Sequence, residues 1–273
     1  MKAVSKTLIA CAISAASVFS AANASAAPFN PFTVDRGDGT TFVADKMVGS
    51  YTEVISFNAD NTFDVSLYTR IGQFANGGGT GPISGEVTGV DRDYSLYALY
   101  SAKGTYQVGA TTTFAFTPGT GSLAMYLDTQ NDSQMTTLPT DGTGAFTITN
   151  SGNDTLIATG AALTGEGWLI PSAGTCGQFG INCGSFGSTT EFNLNADGAA
   201  FFVSPSPFYN LSFQSGQLNN FDVEAGTTQI INGSMDIVFS RAAEVPEPAS
   251  VGLLGLGMLG LYAARRRNGK KAA

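Results

Sequence analysis

Thr62-Phe63-Asp64-Val65-Ser66-Leu67-Tyr68 alternates side chains of two kinds, with Phe63, Val65 and Leu67 falling on one face. A repeat of two is the period of a pleated strand with one buried side, whereas a helix repeats every 3.6 residues. The same signature, less regular, recurs at Tyr51–Phe57, Tyr94–Tyr100, Thr111–Thr117, Ser122–Leu127, Ala145–Thr149 and Thr155–Ala158. It continues at Glu191–Leu194, Ala199–Val203, Leu211–Phe213 and Ile230–Phe239. These segments carry the β-branched and aromatic residues that pack on a pleated surface, and Gly, Asn, Asp and Pro separate them. Between residues 27 and 244 no stretch sustains a helical period. The expected fold is therefore all-β, a β-sandwich or jelly-roll-like body of roughly ten to twelve strands.

Turn chemistry agrees with those strands. Asn58-Ala59-Asp60-Asn61 and Asn195-Ala196-Asp197-Gly198 each lie between aromatic-bearing segments and read as β-hairpin turns, because Asn, Asp and Gly tolerate positive φ. Asn76-Gly77-Gly78-Gly79-Thr80-Gly81-Pro82 and Thr117-Pro118-Gly119-Thr120-Gly121 read as flexible loops; neither leads from a strand into a helix as a phosphate cradle does.

The two ends differ in kind from the middle. Lys2 and Lys6 precede an apolar and small-residue stretch, Thr7 to Phe19, and Ala24-Ser25-Ala26 supplies an A-x-A site, so residues 1–26 read as a signal peptide and its helix, cleaved at Ala24 and Ala26. At the other end Val245-Pro246-Glu247-Pro248 leads into an apolar run, Ala249 to Ala264, which Arg265, Arg266 and Arg267 terminate. The prolines lack amide donors and favour an extended, accessible strip. The apolar run is 16 residues, about 24 Å of helix against a hydrocarbon core of about 30 Å, so a single transmembrane helix spans only marginally. The arginines hold the C-terminal side in the cytoplasm. Residues 27–244 are then one exported all-β domain and residues 245–273 a sorting segment.

Composition removes whole classes of chemistry. The chain has no histidine, which excludes Ser-His-Asp and Cys-His catalysis, HExxH zinc sites and imidazole pH switches. Lys46 and Lys103 are the lysines of the body, and neither sits in an S-x-x-K motif. Carboxylates are numerous but scattered, and no spacing marks an acid and base pair, so no catalytic residue, cofactor or metal ligand is expected. Between residues 27 and 244 six basic residues face 20 acidic ones, a net charge near −14. Such a surface repels nucleic acid and anionic lipid.

With Cys11 inside the signal segment, Cys176 and Cys183 remain, and an exported protein is expected to join them as a disulfide around a six-residue loop. A bond closing so short a loop contributes about 2–3 kcal/mol on the chain-entropy argument, which amounts to local pinning.

Other patterns allow a structural and a functional reading side by side. Arg36-Gly37-Asp38 reads as a turn. Asp35, Asp38 and Asp45, the set Asn58, Asp60 and Asp64, and the run Asp128-Thr129-Gln130-Asn131-Asp132 are either calcium ligands or solvated turn carboxylates; in the second set Phe63 stands where an EF-hand loop needs glycine. Leu138-Pro139-Thr140-Asp141-Gly142 only imitates a sortase site. Tyr94, Tyr97, Tyr100, Tyr106 and the lone Trp168 are either core residues or a platform on which sugar rings stack.

Pro246-Glu247-Pro248, the Gly/Leu-rich run and Arg265–Arg267 together, in order and at the C-terminus, resemble the PEP-CTERM sorting signal recognised by exosortases in Gram-negative bacteria. The resemblance implies a precursor held transiently in the inner membrane, an exosortase-type processing partner, and release to the cell surface or extracellular matrix. Phe42–Lys46, Gly49–Ile55, Thr62–Tyr68, Leu96–Tyr100 and Phe208–Phe221 resemble the flocculation-associated PEP-CTERM proteins. That second resemblance implies a non-enzymatic part in forming flocs with extracellular polysaccharide. The alternative is a carboxylate-based carbohydrate-active enzyme of the cell surface, which requires two carboxylates about 5–10 Å apart in a cleft.

Overall fold

The computed structural model describes residues 29–170, 183–217 and 223–241. Strands β1 (Phe32–Asp35) and β2 (Thr41–Ala44) form a first hairpin, followed by the long strands β3 (Lys46–Phe57) and β4 (Thr62–Asn76). The Asn58–Asn61 turn between β3 and β4 is the hairpin expected of it: Asn58 donates its amide to the Thr62 carbonyl at 2.8 Å, and Asn61 adopts φ 63°. After β5 (Gly81–Pro82) and the one-turn helix α1 (Gly85–Thr88) come β6 (Ser95–Gln107), β7 (Thr112–Phe116) and β8 (Ser122–Asp128). A hairpin of β9 (Gln134–Thr137) and β10 (Thr147–Thr149) precedes β11 (Thr155–Gly160), β12 (Ala162–Ile170), β13 (Cys183–Glu191) and β14 (Asn193–Leu194). Helix α2 (Ala196–Phe201), β15 (Phe202–Ser204), β16 (Leu211–Gln217) and β17 (Thr228–Ser240) complete the order.

The pairings close on themselves. β3 pairs with β4, β4 with β6, β6 with β7, β7 with β12, β12 with β13, β13 with β16, β16 with β17, and β17 returns to β3, each antiparallel. β8 continues the line of β7 along β6, β11 continues β12 along β8, and β14 continues β13 along β11. The result is an up-and-down antiparallel barrel in which each long strand lies beside the next in the chain. The expectation of a sandwich or jelly roll holds in its all-β class and is refined in topology: one ladder runs round the whole core, and the β17–β3 pairing removes the edges a sandwich keeps.

The interior is filled. Met47, Tyr51, Ile55 and Phe57 of β3, Phe63, Val65 and Leu67 of β4, Leu96, Ala98, Tyr100 and Ala102 of β6, and Ile231, Met235 and Ile237 of β17 join one buried cluster. Strand segments thus alternate apolar inside and polar outside, the reverse of a barrel whose outer face meets lipid. No helix among the described residues is long and apolar enough to cross a membrane.

One mouth of the barrel is stoppered by aromatic rings. Phe32 on β1 meets Phe239 on β17 at 5.2 Å and 89°, and Phe192 lies 4.8 Å from the same ring. β15 pairs with β1, so Phe202 joins this plug. Here the second expected hairpin turn is corrected. Asn195 accepts the Gly198 amide at 2.8 Å through its side chain, and Asp197 occupies the first turn of α2; both are helix-starting features, so Asn195–Gly198 opens a helix and the expected strand begins only at Phe202.

The β9–β10 hairpin folds over the outside of the wall, where Phe146 covers Val54, Tyr68 and Tyr97. Arg70 anchors its base, donating to the Asn131 side chain at 2.8 Å and to the Ser133 carbonyl at 3.2 Å, and it also donates to Asp91 in the turn before β6 at 2.8 Å.

Candidate functional site

The outer faces of β6, β7, β12 and β13 form a shallow groove of about 780 Å³. Register builds it in rows. Gln107, Thr113, Trp168 and Ser185 stand opposite one another across four strands, and Thr105, Ala115, Glu166 and Gly187 make the next row. Three strand spacings make the groove about 14 Å across. The small residues Ala115 and Gly187 flank Glu166, so the second row is a trough beside the raised indole. Thr164 and Thr189 continue the hydroxyl lining.

Trp168 is 41% exposed. An indole on a strand that faces water forgoes a large burial gain, and with neighbours that offer hydroxyls, an amide and one carboxylate it forms a surface that stacks on a flat apolar face while hydrogen bonding round its rim. The four tyrosines considered with it are part of the interior or lie under the flap instead. Tyr94, Tyr97, Tyr100 and Tyr106 are all buried; Tyr97 donates to Asp154 at 2.6 Å, and Tyr106 to the Asn58 carbonyl at 3.0 Å. Of that set Trp168 alone reaches solvent.

Most of the carboxylates weighed as calcium ligands are occupied by the backbone and by cations; in Asp132 one carboxylate oxygen is buried without a partner. Asp35 accepts the Gly37 amide and Asp38 the Thr40 amide, while Arg36 bridges Asp38 and Asp93. Asp45, buried, accepts the amides of Gly78 at 2.8 Å and Gly79 at 3.0 Å, which ties down the glycine loop read as flexible. Asp60 accepts from Thr62, and Asp128 from Ser95, Gln130 and Ser133. Among the described residues no group of three or more potential ligands gathers.

A second, smaller groove of about 350 Å³ contains two carboxylates, Asp64 and Asp141. Burial pushes the Asp64 carboxyl up, but the ammonium of Lys103 at 2.7 Å and the Asn58 amide at 3.0 Å outweigh it and hold the group below its ordinary range. The Thr143 hydroxyl and amide hold Asp141 low as well. Both are thus anions near neutrality, and an acid and base pair needs one member raised.

Glu53 was not among the residues that the sequence pattern marked. It follows Tyr51 and precedes Ile55 in the inward register of β3, and it is 6% exposed. Its carboxyl borders a cavity of about 20 Å³ shared with Ile55, Phe63, Phe114, Phe116, Phe186 and Ile231, room for no more than a water molecule. Desolvation raises it from the ordinary 4.5 to about 7. An acidic residue at an apolar position of an alternating strand was the available signal.

Val245, Pro246, Glu247, Pro248, Arg265, Arg266, Arg267, Ala24, Ala26 and Cys176 lie outside the described residues, as do the expected signal helix, the transmembrane helix and the side chain of Cys183. For the C-terminal segment the comparison with known families is direct: residues 244–267 match the PEP-CTERM protein-sorting motif. The chain thus carries the signal of an exosortase-sorted, exported protein. No curated protein and no solved structure matches it.

Proposed function

We propose that the barrel is a non-enzymatic protein of the cell surface or extracellular matrix, held briefly in the inner membrane as a precursor, released by an exosortase-type enzyme, and binding extracellular polysaccharide during floc formation. The observation that carries the binding part is Trp168, exposed on a groove otherwise lined by Gln107, Thr105, Thr113, Thr164, Ser185 and Thr189. Sugar rings offer one apolar face and a rim of hydroxyls, which is the complement of this arrangement. The acidic body disfavours nucleic acid as a partner.

Catalysis by carboxylates is the second reading, and Asp64 with Asp141 is the pair that favours it. Their hydrogen bonds to Lys103, Asn58 and Thr143 weigh against it, because neither is left to deliver a proton. Among the described residues Glu166 is the one carboxylate on the Trp168 groove.

The test is complementation of a deletion strain with the intact chain and with a chain lacking Val245 to Ala273. Export is expected to persist in the truncated protein while floc formation is lost. Full restoration of flocs by the truncated chain overturns the sorted-surface reading.

A further inference from the structure

We propose that Glu53 makes the barrel wall formed by β7, β12 and β13 proton-sensitive, firm when the carboxyl is protonated and loosened when it ionises. The inference stands on the fold and does not require the groove to bind sugar.

Glu53 sits in the interior with no hydrogen bond or ion pair to its side chain among the described residues. The cations of the body are engaged elsewhere. Lys46 pairs with Asp236, Arg70 with Asp91, Lys103 with Asp64, Arg36 with Asp38 and Asp93, and Arg92 with Asp93; Arg241 donates to the Pro207 carbonyl. Among the described residues the titratable groups that face Glu53 are Tyr51 on its own strand and Tyr100 on β6, both raised chiefly by burial; hydrogen bonds with Ser188 and Thr190 pull Tyr100 back down in part, and the Glu53 charge adds a smaller rise to each. The other packed elements present apolar groups: Phe63 from β4, Phe114 and Phe116 from β7, Phe186 from β13 and Ile231 from β17. An anion there has no compensating partner, and a buried unpaired charge is the costliest arrangement a core can hold.

The strain falls on the weakest part of the ring. β12 contributes Gly165 and Gly167, β13 contributes Gly184 and Gly187, and β16 contributes Gly216. A Cβ at Gly165 would press on the Phe116 ring and one at Gly216 on the Phe186 ring at 2.5 Å, so two rings of the cavity rest on bare backbone. Glycine in a strand interior lowers its resistance to opening. Phe114 lines both the cavity and the groove outside it, which gives the interior charge a direct route to the outer face.

Linkage sets the direction. The folded carboxyl keeps its proton up to about pH 7, whereas the unfolded one releases it near 4.5. The contribution of Glu53 to stability is therefore fully present below 4.5, falls by about tenfold in the folding equilibrium per pH unit between those two values, and levels off above the higher one.

Hydrogen exchange of the full chain and of Glu53→Gln at about pH 5.5 and about pH 8, expressed as protection factors, tests this. The native chain is expected to lose about tenfold or more of its protection in β7, β12 and β13 at the higher pH, and the glutamine variant to keep it. Equal losses in both proteins, or none in the native chain, overturn the proposal. Should the variant not fold, infrared titration of the native protein decides: a protonated carboxyl band persisting at about pH 6 supports the assignment, and its absence there overturns it.

Discussion

Trp168 and Leu169 are consecutive residues of β12 that look to opposite sides of one barrel wall, the first 41% exposed in the groove and the second fully buried. The pleat makes them independent, since neighbours on a strand share a backbone but no environment. Trp168→Ala is expected to weaken binding to the extracted polysaccharide by about 1–2 kcal/mol, roughly five- to thirtyfold, with little change in melting temperature. Affinity electrophoresis or calorimetry measures the first and thermal unfolding the second; unchanged affinity removes the groove from the binding surface.

Arg70→Ala severs two links between the barrel and the base of the β9–β10 flap, those to Asn131 and Ser133, together with a third to Asp91 in the turn before β6. A loss of about 1–3 kcal/mol is expected in denaturant unfolding, since hydrogen bonds to a charged group are removed and their acceptors left behind. Exchange at residues 134–149 should quicken more than exchange in β17, which distinguishes a loosened flap from a weakened barrel.

Gly77, Gly78 and Gly79 hold φ of 62°, 74° and 72°, and the amides of the last two point at Asp45. Gly78→Ala introduces no clash, so its expected cost is that of the left-handed backbone alone, about 1 kcal/mol. Asp45→Ala leaves two amides without their acceptor and should cost more, about 1–3 kcal/mol. Chemical denaturation of the two variants gives the order.

Thiol labelling of freshly isolated exported protein, without reductant, should find Cys176 and Cys183 blocked, and labelling after reduction should find both. Two free thiols in the untreated sample contradict the pairing proposed for them.

The fold class was legible because period two is imposed by the backbone itself, and Phe63, Val65 and Leu67 do face the interior. Closure was not, because the ladder that closes the ring joins β17 to β3, far apart in sequence, and alternation says which face is buried without saying which strand lies alongside. Asn195-Ala196-Asp197-Gly198 misled for a local reason: the same Asn, Asp and Gly serve a hairpin turn and a helix cap, and only the packing of the downstream residues decides between them. Trp168 stood out in the sequence, but its companions Gln107, Thr113 and Ser185 come from three other strands and meet only through register.

β17 ends at Ser240, and Pro246 follows after five residues. A chain of that length reaches about 20 Å at most. The strand that completes the ring is therefore also the one that leads into the sorting motif, and on the proposed reading an exosortase-type enzyme acting at Pro246-Glu247-Pro248 would work within that reach of the barrel. On that reading maturation would be a matter of clearance: the enzyme would have to fit between a folded body and the membrane, and lengthening residues 241–245 would widen the space.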